Sequence, residues 1–452
     1  MSPQKTTFAT RLGIIFATAG SAVGLGNIWH FPTTCGKSGG AAFIMMYLII
    51  TIVLGIPGML SEFIVGRNGG RNSFYSYAQA AGRKWCGIIG IMGTLCSALI
   101  LGFYSVIAGW CIYYLYLAVT DSALGTPAEI ETTFKGLMSP DNYVPVILSA
   151  VFILLTHTII VRGVRKGIEI ASKIMVPTLI FLLVLLIVAS CMLPNAFEGI
   201  RFLFQPDFSK IDSHTIFVAL GEAFFSLSLG TACLCTYASY FQEETNLRSS
   251  TMQIVGIDIA VAIMAGLMIF PAAFSVGVQP DAGPSLVFQT MPNVFEQAFS
   301  HSVAYVVSIV FYLLLTIAAL TSTISMHEIG TAVVSQEMNT SRHKAAWCMT
   351  IFCMIIGVLS ALSLTHEGMG LFGDSLFDNF DKLTSNIMLP LGALTTFLIV
   401  GWVMPREKVM NQLTSNGRYA WRPVLVTAFY ILARYACPVF IVIIFLNKMG
   451  VI

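Results

Sequence analysis

Long apolar runs recur along the whole of this chain, and no other feature of the sequence limits its fold as much. We identify eleven of them, at roughly residues 12–34, 41–66, 87–119, 143–161, 168–193, 214–240, 251–278, 300–335, 346–364, 383–404 and 424–446. About 20 apolar residues are enough for a helix to cross the hydrocarbon core of a bilayer. Charged residues make up only 10% of the chain, whereas soluble domains carry roughly 25%. We therefore expect an all-α, polytopic membrane protein embedded in a lipid bilayer.

Basic residues are unevenly divided among the loops between these runs, which we number segments one to eleven. Sixteen of the 24 Lys and Arg residues fall on one side of the membrane: Lys5, Arg11, Arg67, Arg71, Arg83, Lys84, Arg162, Arg165, Lys166, Arg248, Arg342, Lys344, Arg406, Lys408, Arg418 and Arg422. Six fall on the other side: Lys37, Lys135, Arg201, Lys210, Lys382 and Lys448. Because cytoplasmic loops carry the excess of positive charge, we expect the N-terminus in the cytoplasm. Eleven crossings then place the C-terminus outside the cell. The membrane is expected to be the inner (plasma) membrane.

Segments one and six are both interrupted by glycines and polar residues at their middle. Segment one contains GSAVGLGNIWHFP (20–32), and segment six contains GEAFFSLSLGTACLCTYASY (221–240). Two interrupted segments in corresponding places of two halves are typical of inverted-repeat transporters. We expect a 5+5 inverted-repeat fold in one integral membrane domain (1–452), with helices 1–5 at about 12–193, helices 6–10 at about 214–404 and helix 11 at about 424–446. The alternative is that the glycines only allow close helix packing.

Interrupted helices leave free carbonyl and amide groups near the bilayer midplane, where only a cavity or an ion can satisfy them. Carbonyl oxygens suit a hard cation such as sodium, and the N-terminal end of a half-helix suits a carboxylate.

Other classes of function have less support. The net charge of +2 argues against a nucleic-acid partner. No nucleophile–base or HExxH-like pattern points to an enzyme, and we expect no cofactor apart from coupling ions.

Stretches distributed over nearly the full chain resemble one known family. They are RLGIIFATAGSAVGLGNIWHFP (11–32), GGAAF (39–43), GIPGMLSEFIVGR (55–67), FYSVIAGW (103–110), FFSLSLG (224–230), YASY (237–240), AALTSTIS (318–325) and SNIMLPLG (385–392). Together they resemble the neurotransmitter:sodium symporter family, in particular bacterial amino-acid transporters with the leucine-transporter fold. The resemblance implies a sodium-coupled symporter that imports an amino acid by alternating access, with discontinuous helices 1 and 6.

The resemblance also implies two sodium sites made of oxygen ligands. The first site corresponds to Ala22, Asn27, Ser226 and Asp258. The second site corresponds to Gly20, Val23, Ala318, Thr321 and Ser322. The two hydroxyls of the second site have an alternative interpretation, in which they bond back to their own helix.

The substrate pocket implied by the resemblance is apolar with a few hydroxyls. Its positions are Ala22, Gly24, Gly26, Ile100, Tyr104, Phe225, Ser226, Ser228, Thr231, Ser322 and Met326. Amine-transporting relatives have an Asp where this chain has Gly24, so an α-amino acid is expected rather than a decarboxylated amine. The wall carries no unpaired charge, which favours a neutral, hydrophobic or aromatic side chain. Tyr104 has the alternative interpretation of an interfacial aromatic residue.

The chain departs from the family pattern at the position of a bound chloride. Chloride-dependent relatives bind the anion at positions that correspond here to Tyr47, Glu222, Ser226, Asp258 and Ala262. Two of these are carboxylates, which would repel chloride by several kcal/mol at an effective dielectric constant of about 20. We therefore expect chloride-independent transport, in which a fixed carboxylate balances the charge of sodium. The alternative is that Glu222 is only a hydrogen-bonding residue of the bundle, although intramembrane acids are usually functional.

The gates depart from the pattern as well. The outer pair, usually Arg and Asp, corresponds to His30 and Asp381, and histidine titrates near physiological pH. We expect a weaker, pH-sensitive outer gate, the alternative being a His30 that merely faces the vestibule. The inner pair corresponds to Lys5 and Gln336, with Glu337 adjacent, and Tyr240 matches the position that braces it.

Two further positions are implied to support the transport cycle. Glu62 is expected to accept hydrogen bonds from the unwound part of helix 6. Gly167 and Pro177 resemble a motif of local unwinding in helix 5, which would let water reach the second sodium site, and a static kink is the alternative. Glu222, Asp258 and His30 leave proton-driven exchange open within the transport class. A sensor that binds but does not transport is the competing class.

Overall fold

The break in the first segment divides it into two helices that meet at an angle. In the computed structural model, which describes residues 7–277, 285–366 and 368–448, helix 1a (Arg11–Ala22) and helix 1b (Gly26–Lys37) are bent by 52° relative to one another. The helix stops at Val23, whose backbone is extended (φ −80°, ψ 103°). Asn27 then accepts a hydrogen bond from the Gly24 amide at 3.1 Å. The interruption read in the sequence is therefore a real end of the helix, with its own capping contact.

The second half begins with a similarly divided helix. Helix 6a (Ser213–Ser226) and helix 6b (Cys233–Ser239) are separated by six residues. Ser228, Gly230 and Ala232 there have positive φ angles of 53°, 84° and 60°, a region that residues with a Cβ rarely adopt. At Gly230 a Cβ would also lie 2.2 Å from the carbonyl oxygen of Leu389. Both the conformation and the close approach require glycine at that position.

The remaining long helices follow the predicted segments in order. They are helix 2 (Ala41–Gly69), helix 3 (Lys84–Val119), helix 4 (Val144–Ile160), helix 5 (Val164–Cys191), helix 7 (Leu247–Ser275), helix 8 (His301–Glu337), helix 9 (Arg342–Thr365), helix 10 (Leu376–Val403) and helix 11 (Pro423–Asn447). Among the described residues, eight helices are long and apolar enough to cross a membrane, and helices 1a and 1b together make a ninth. Helix 4 and each half of helix 6 have fewer than the 18 residues taken here as the minimum for a crossing. The fold class is as predicted, while the count of eleven crossings stays a prediction.

Short elements occupy the connections. They are helices at Ser73–Ala81, Pro127–Leu137, Ala196–Phe204, Met291–Ala298 and Arg406–Leu413, and a 3₁₀ turn at Phe208–Lys210. Another 3₁₀ turn, Lys84–Cys86, forms the start of helix 3. A small antiparallel hairpin pairs Gly370–Leu371 with Asp374–Ser375, and Gly370 lies opposite Ser375. π-Helical turns of five or six residues recur within the helices, as at Gly26–His30 within helix 1b.

The outer surface of the bundle is apolar. Large hydrophobic side chains point outward from helices 4, 5, 9 and 11, among them Ile147, Phe181, Val188, Ile355 and Val439. Exposed apolar surface of this extent is rare in soluble proteins. Helix 2, by contrast, is largely enclosed by its neighbours, and Ser61, Glu62 and Phe63 are all buried. The protein is therefore a multi-pass membrane protein whose polar residues lie inside the bundle.

Candidate functional site

The two interrupted helices meet at the centre of the bundle. The Ser228 hydroxyl donates to the carbonyl of Ser21 at 3.2 Å, and the Asn27 side-chain amide donates to the Ser226 hydroxyl at 3.2 Å. Residues more than 190 positions apart in the chain are thereby joined across the two breaks. This contact brings together the positions that the sequence assigns to sodium and substrate.

Side chains predicted for the first sodium site form one buried cluster. The Asp258 carboxylate accepts from the Asn27 amide at 2.8 Å, from the Ser226 hydroxyl at 2.8 Å and from the Tyr47 hydroxyl at 3.0 Å. Asn27, Ser226 and Asp258 are 1%, 5% and 0% exposed. Ala22, whose carbonyl completes the predicted set, is the last residue of helix 1a and is also buried. The cluster offers oxygen atoms and one buried negative charge, which is the chemistry a hard monovalent cation needs.

The positions predicted for the second sodium site also converge. The Thr321 hydroxyl lies 3.1 Å from the carbonyl oxygen of Val23 and 2.8 Å from that of Ala318. A Cβ at Gly20 would lie 3.5 Å from Cβ of Thr321. The contact with Ala318 is the bond within one helix that the alternative interpretation expected, and the contact with Val23 joins helix 8 to the end of helix 1a. Both interpretations of Thr321 are therefore represented in the geometry.

Several positions predicted for the substrate pocket lie beside the break in helix 1. Cβ atoms added at Gly24 would lie 2.3 Å from Ser322 Oγ and 3.4 Å from the Tyr104 hydroxyl oxygen. A Cβ at Gly26 would lie 3.1 Å from the ring of Phe225. The Tyr104 hydroxyl accepts a hydrogen bond from the Leu25 amide at 3.2 Å. The two glycines thus allow the Ser322 hydroxyl and the Phe225 ring to lie close to the backbone of the helix 1 break.

The side chains predicted to form the wall of the substrate pocket are mostly apolar. Ile100, Tyr104 and Met326 share a cluster with Phe377 and Phe380 of helix 10. Thr231, in contrast, uses its hydroxyl within the helix 6 break, where it donates to the carbonyl of Ser228 at 2.7 Å. The described wall presents hydrocarbon and aromatic surface, and its hydroxyls lie near the interrupted backbone.

Glu62 supports the break in helix 6 from helix 2. Its carboxylate accepts from the Gly230 amide at 2.7 Å and from the Cys235 amide at 3.3 Å. These amides lie in and just after the unwound segment, so one buried side chain satisfies donors that the missing helical turns would otherwise leave free. This is the arrangement that the family resemblance implied for Glu62.

His30 pairs with a residue other than the one predicted. Its Nδ1 lies 2.6 Å from Glu222 Oε2, whereas the sequence predicted a pair with Asp381. The Asp381 carboxylate instead accepts from the Ser385 hydroxyl, one helical turn later on the same helix, at 2.9 Å. The His30 side chain is 50% exposed and that of Glu222 is 1% exposed. The imidazole therefore connects the solvent side of the bundle to a buried carboxylate.

Glu222 lies near the first sodium cluster, and one of its oxygens is unpaired. No donor among the described residues reaches Oε1, which is buried. A buried carboxylate with an unpaired oxygen is costly unless a charge or proton compensates it. His30 is the compensating group that the structure provides, and Asp258 is the second acid in the region.

Tyr240, which was predicted to brace the inner gate, belongs to a buried network whose other members, Glu328 and Arg342, sequence reasoning missed. Tyr240 donates to Glu328 Oε1 at 2.7 Å, and both terminal nitrogens of Arg342 contact the same carboxylate. Glu328 is fully buried. Lys5, predicted for the inner gate, lies outside the described residues, and Glu337 contacts Asn72 at 2.7 Å. The signal available in the sequence was the acid at position 328 within segment eight, since such residues are usually paired and functional.

The two sides of the site differ in exposure. On one side Phe225 is 37% exposed and packs against His30 at a tilt, with ring centroids 5.4 Å apart. On the other side Phe8 is fully buried against Tyr237 and Tyr240. The structure is thus more open on the His30 side.

Pro177, predicted to belong to a motif of local unwinding, lies inside helix 5, which is continuous there.

Comparisons with known proteins identify relatives of this chain along nearly its whole length. The sequence pattern of the sodium:neurotransmitter symporter family matches residues 5–126 and 143–451. YhdH of Bacillus subtilis, named as an uncharacterized sodium-dependent transporter, is 37% identical over 456 residues. The similarity covers 100% of this chain and 100% of YhdH. An uncharacterized sodium-dependent transporter of Haemophilus influenzae is 31% identical over 458 residues, with 99% of this chain and 98% of the relative covered.

A solved structure is similar in fold as well as in sequence. It is the crystal structure of MhsT in complex with L-phenylalanine, with a TM-score of 0.88 and 36% sequence identity. The similarity covers 98% of this chain and 100% of that chain.

Proposed function

The chain belongs to the sodium:neurotransmitter symporter family, and we propose that it imports a neutral amino acid together with sodium. It is a transporter and not an enzyme. The observation that carries the proposal is the meeting of two interrupted helices around Asn27, Ser226, Asp258 and Thr321. Free carbonyls, hydroxyls and a carboxylate at that depth in the bundle would be costly without an ion or a polar ligand.

Two sodium ions are proposed as the coupling ions. One is held by Ala22, Asn27, Ser226 and Asp258 together with the substrate carboxylate, so that each ligand strengthens binding of the other. The other is held by the positions around Thr321. The first ion makes binding of amino acid depend on sodium, and the second stabilises the contact between helices 1a and 8.

The substrate is proposed to have a hydrophobic or aromatic side chain. Gly24 carries no charge for an amine, and Tyr104 and Ser322 offer hydroxyls to a carboxylate. The side chain of the substrate would lie against Ile100, Phe225 and Met326. That MhsT was solved with L-phenylalanine supports an aromatic side chain.

Transport is proposed to be independent of chloride. Glu222 and Asp258 supply negative charge where chloride-dependent relatives bind the anion. The contact of Glu222 with His30 supports this role, because it gives the buried carboxylate a partner that can gain or lose a proton. The expectation of a pH-sensitive outer side also rests on this pair.

The proposed location is the inner membrane, with the N-terminus in the cytoplasm and the C-terminus outside. The excess of Lys and Arg in one set of loops supports this orientation. We treat the chain as one transport domain, with helices 1–5 and 6–10 as its halves.

A thermal-shift screen of the twenty amino acids, with and without sodium, tests the proposal directly. We expect stabilisation by hydrophobic or aromatic amino acids only when sodium is present, because ligands that bind the folded state raise its stability. Sodium-driven uptake in proteoliposomes then separates a transporter from a sensor. Binding without uptake would identify a sensor, and stabilisation that ignores sodium would contradict the proposal.

A further inference from the structure

Two π-helical turns lie against each other where helix 10 ends beside helix 11. They are Ile399–Val403 in helix 10 and Leu432–Ala436 in helix 11. A Cβ at Gly401 would lie 2.9 Å from Cα of Arg434, and the indole N–H of Trp402 donates to the Arg434 carbonyl at 2.9 Å. π-Helical turns are rare and are frequently found at functional sites. The contact fixes Arg434 beside the last turn of helix 10.

The Arg434 guanidinium packs against two aromatic rings on the outer surface of the bundle. Its Cζ atom is 4.1 Å from the ring centre of Trp402 and 5.6 Å from that of Tyr435. Each of these two side chains is 53% exposed, and Trp and Tyr are enriched where a membrane meets water. The rings hold the cation at the surface that faces the bilayer, but they supply no oxygen acceptor.

Arg434 is an arginine of a membrane-spanning helix whose donors are not satisfied by the described part of the chain. Its Nε atom is buried and has no hydrogen-bond partner there. Arg67 of helix 2, in contrast, donates to the Gln412 side chain and to the Thr245 carbonyl, each at 2.7 Å. A buried donor without an acceptor is costly, and so is an unpaired cation in a membrane segment. The missing acceptor points to a ligand from the surroundings.

A second guanidinium lies at the same end of the two helices. Arg406 begins the short helix that follows helix 10, and its Cζ atom is 5.3 Å from the ring centre of Tyr430. Tyr430 precedes Arg434 by one helical turn, which places both on one face of helix 11. Neither arginine belongs to an ion pair of the described residues, and neither does Glu407, the acid next to Arg406. Two positive charges therefore flank one stretch of helix 11 without a described counter-charge.

An exposed apolar track continues from this charged end along helix 11. Tyr435, Val439 and Val442 are 53%, 58% and 40% exposed, and their spacing of four and then three residues puts them on one helix face. In that direction helix 11 packs along helix 10, away from the end of helix 10 at Val403. A charged end followed by an apolar track matches a phosphate headgroup followed by an acyl chain. A soluble phosphate would use only the charged end.

We propose that this surface binds an anionic phospholipid. The guanidiniums of Arg434 and Arg406 hold the phosphate, and one acyl chain lies along Tyr435, Val439 and Val442. Arginine suits this role because its planar fork can bind phosphate through two N–H donors at once. Two positive charges favour a headgroup of net negative charge over a zwitterionic one. The lipid supplies the acceptor that Arg434 Nε lacks, and it joins helix 11 to the short helix after helix 10.

Binding of phosphatidylglycerol to the full-length protein in detergent tests the proposal. Native mass spectrometry measures the Kd of the most tightly bound lipid, and phosphatidylcholine is the zwitterionic comparison. Arg434→Gln and Arg406→Gln are the test variants. Arg422→Gln is the matched control, because Arg422 is an exposed arginine of the same loop and forms no described contact with an aromatic ring.

We expect the Kd for phosphatidylglycerol to rise at least about tenfold in each test variant, the factor that one lost charge-assisted hydrogen bond corresponds to. Arg422→Gln should keep the parent Kd, and the parent should bind phosphatidylcholine more weakly than phosphatidylglycerol. Because Arg406 is at the surface, its variant tests the proposal even where Arg434→Gln fails to fold.

The same Kd for phosphatidylglycerol in Arg434→Gln and Arg422→Gln would overturn the site. Equal affinity of the parent for the two lipids would contradict recognition of net negative charge. Displacement of the lipid by inorganic phosphate would show that the site binds phosphate alone and not a lipid. The measurement needs neither sodium nor amino acid, so its result stands apart from that of the transport assays.

Discussion

A methyl group at Gly24 would lie 2.3 Å from Ser322 Oγ, inside the space proposed for the substrate carboxylate. We expect Gly24→Ala to weaken sodium-dependent amino-acid binding at least about tenfold, since overpacking a tight site costs about 1–3 kcal/mol. Titration of the stabilising amino acid at fixed sodium measures the effect. Gly256→Ala is the control, because a Cβ there meets no heavy atom within 4 Å. Equal loss in both variants would argue against a pocket at Gly24.

Glu222 is the side chain that the chloride prediction depends on. Glu222→Gln removes a buried negative charge, so we expect uptake by this variant to require chloride, which can then occupy the vacated position without repulsion. Uptake into proteoliposomes with chloride or gluconate as the anion is the measurement. Glu198→Gln, at a position whose side chain is exposed, should behave like the parent. Collapse of parent uptake in gluconate would be enough to reject chloride independence.

The break in helix 6 depends on helix 2. Glu62 accepts two backbone amides of helix 6 at 2.7 and 3.3 Å, and hydrogen bonds to charged groups are worth about 1.5–3 kcal/mol each. We expect Glu62→Gln to lower the melting temperature in detergent by several degrees. Glu131→Gln, whose carboxylate pairs with Lys135 at the surface, serves as the control. An unchanged melting temperature would mean that the break does not need the carboxylate.

Helix 5 contains Gly167 and Pro177 without being interrupted in this structure. Proline removes one amide donor and weakens the preceding turn, so we expect Pro177→Ala to stabilise the continuous helix and abolish inward opening. Release of preloaded radioactive sodium from proteoliposomes on the cytoplasmic side measures it. Pro271→Ala tests the removal of another proline inside a long helix. Normal sodium release from Pro177→Ala would leave only a static kink.

The orientation of the whole molecule is a prediction from its charge distribution. Sixteen of 24 basic residues fall in one set of loops, and cytoplasmic loops carry such an excess. We expect alkaline phosphatase fused to the C-terminus to be active and green fluorescent protein fused there to stay dark. The same reporters in the 404–422 loop should give the opposite result. Matching signals at both positions would contradict eleven crossings.

The family, the fold and the membrane class could be read from the sequence because they depend on local properties. A run of apolar residues, a glycine inside it and a basic loop each act through their immediate surroundings. The positions of Asn27, Ser226, Asp258 and Thr321 could be assigned from the resemblance. The structure joins the first three by hydrogen bonds and places Thr321 beside Val23. Glu62 likewise contacts the backbone that its assigned position implied.

The sequence could not predict which partner each charged side chain would bind. His30 bonds to Glu222, 192 positions away, and not to the predicted Asp381. Glu328 binds Tyr240 and Arg342, and no sequence motif pairs it with either residue. The chemistry of these groups says only that each needs a partner. Helix packing decides which one lies within hydrogen-bond distance, because separation along the chain does not fix separation in space.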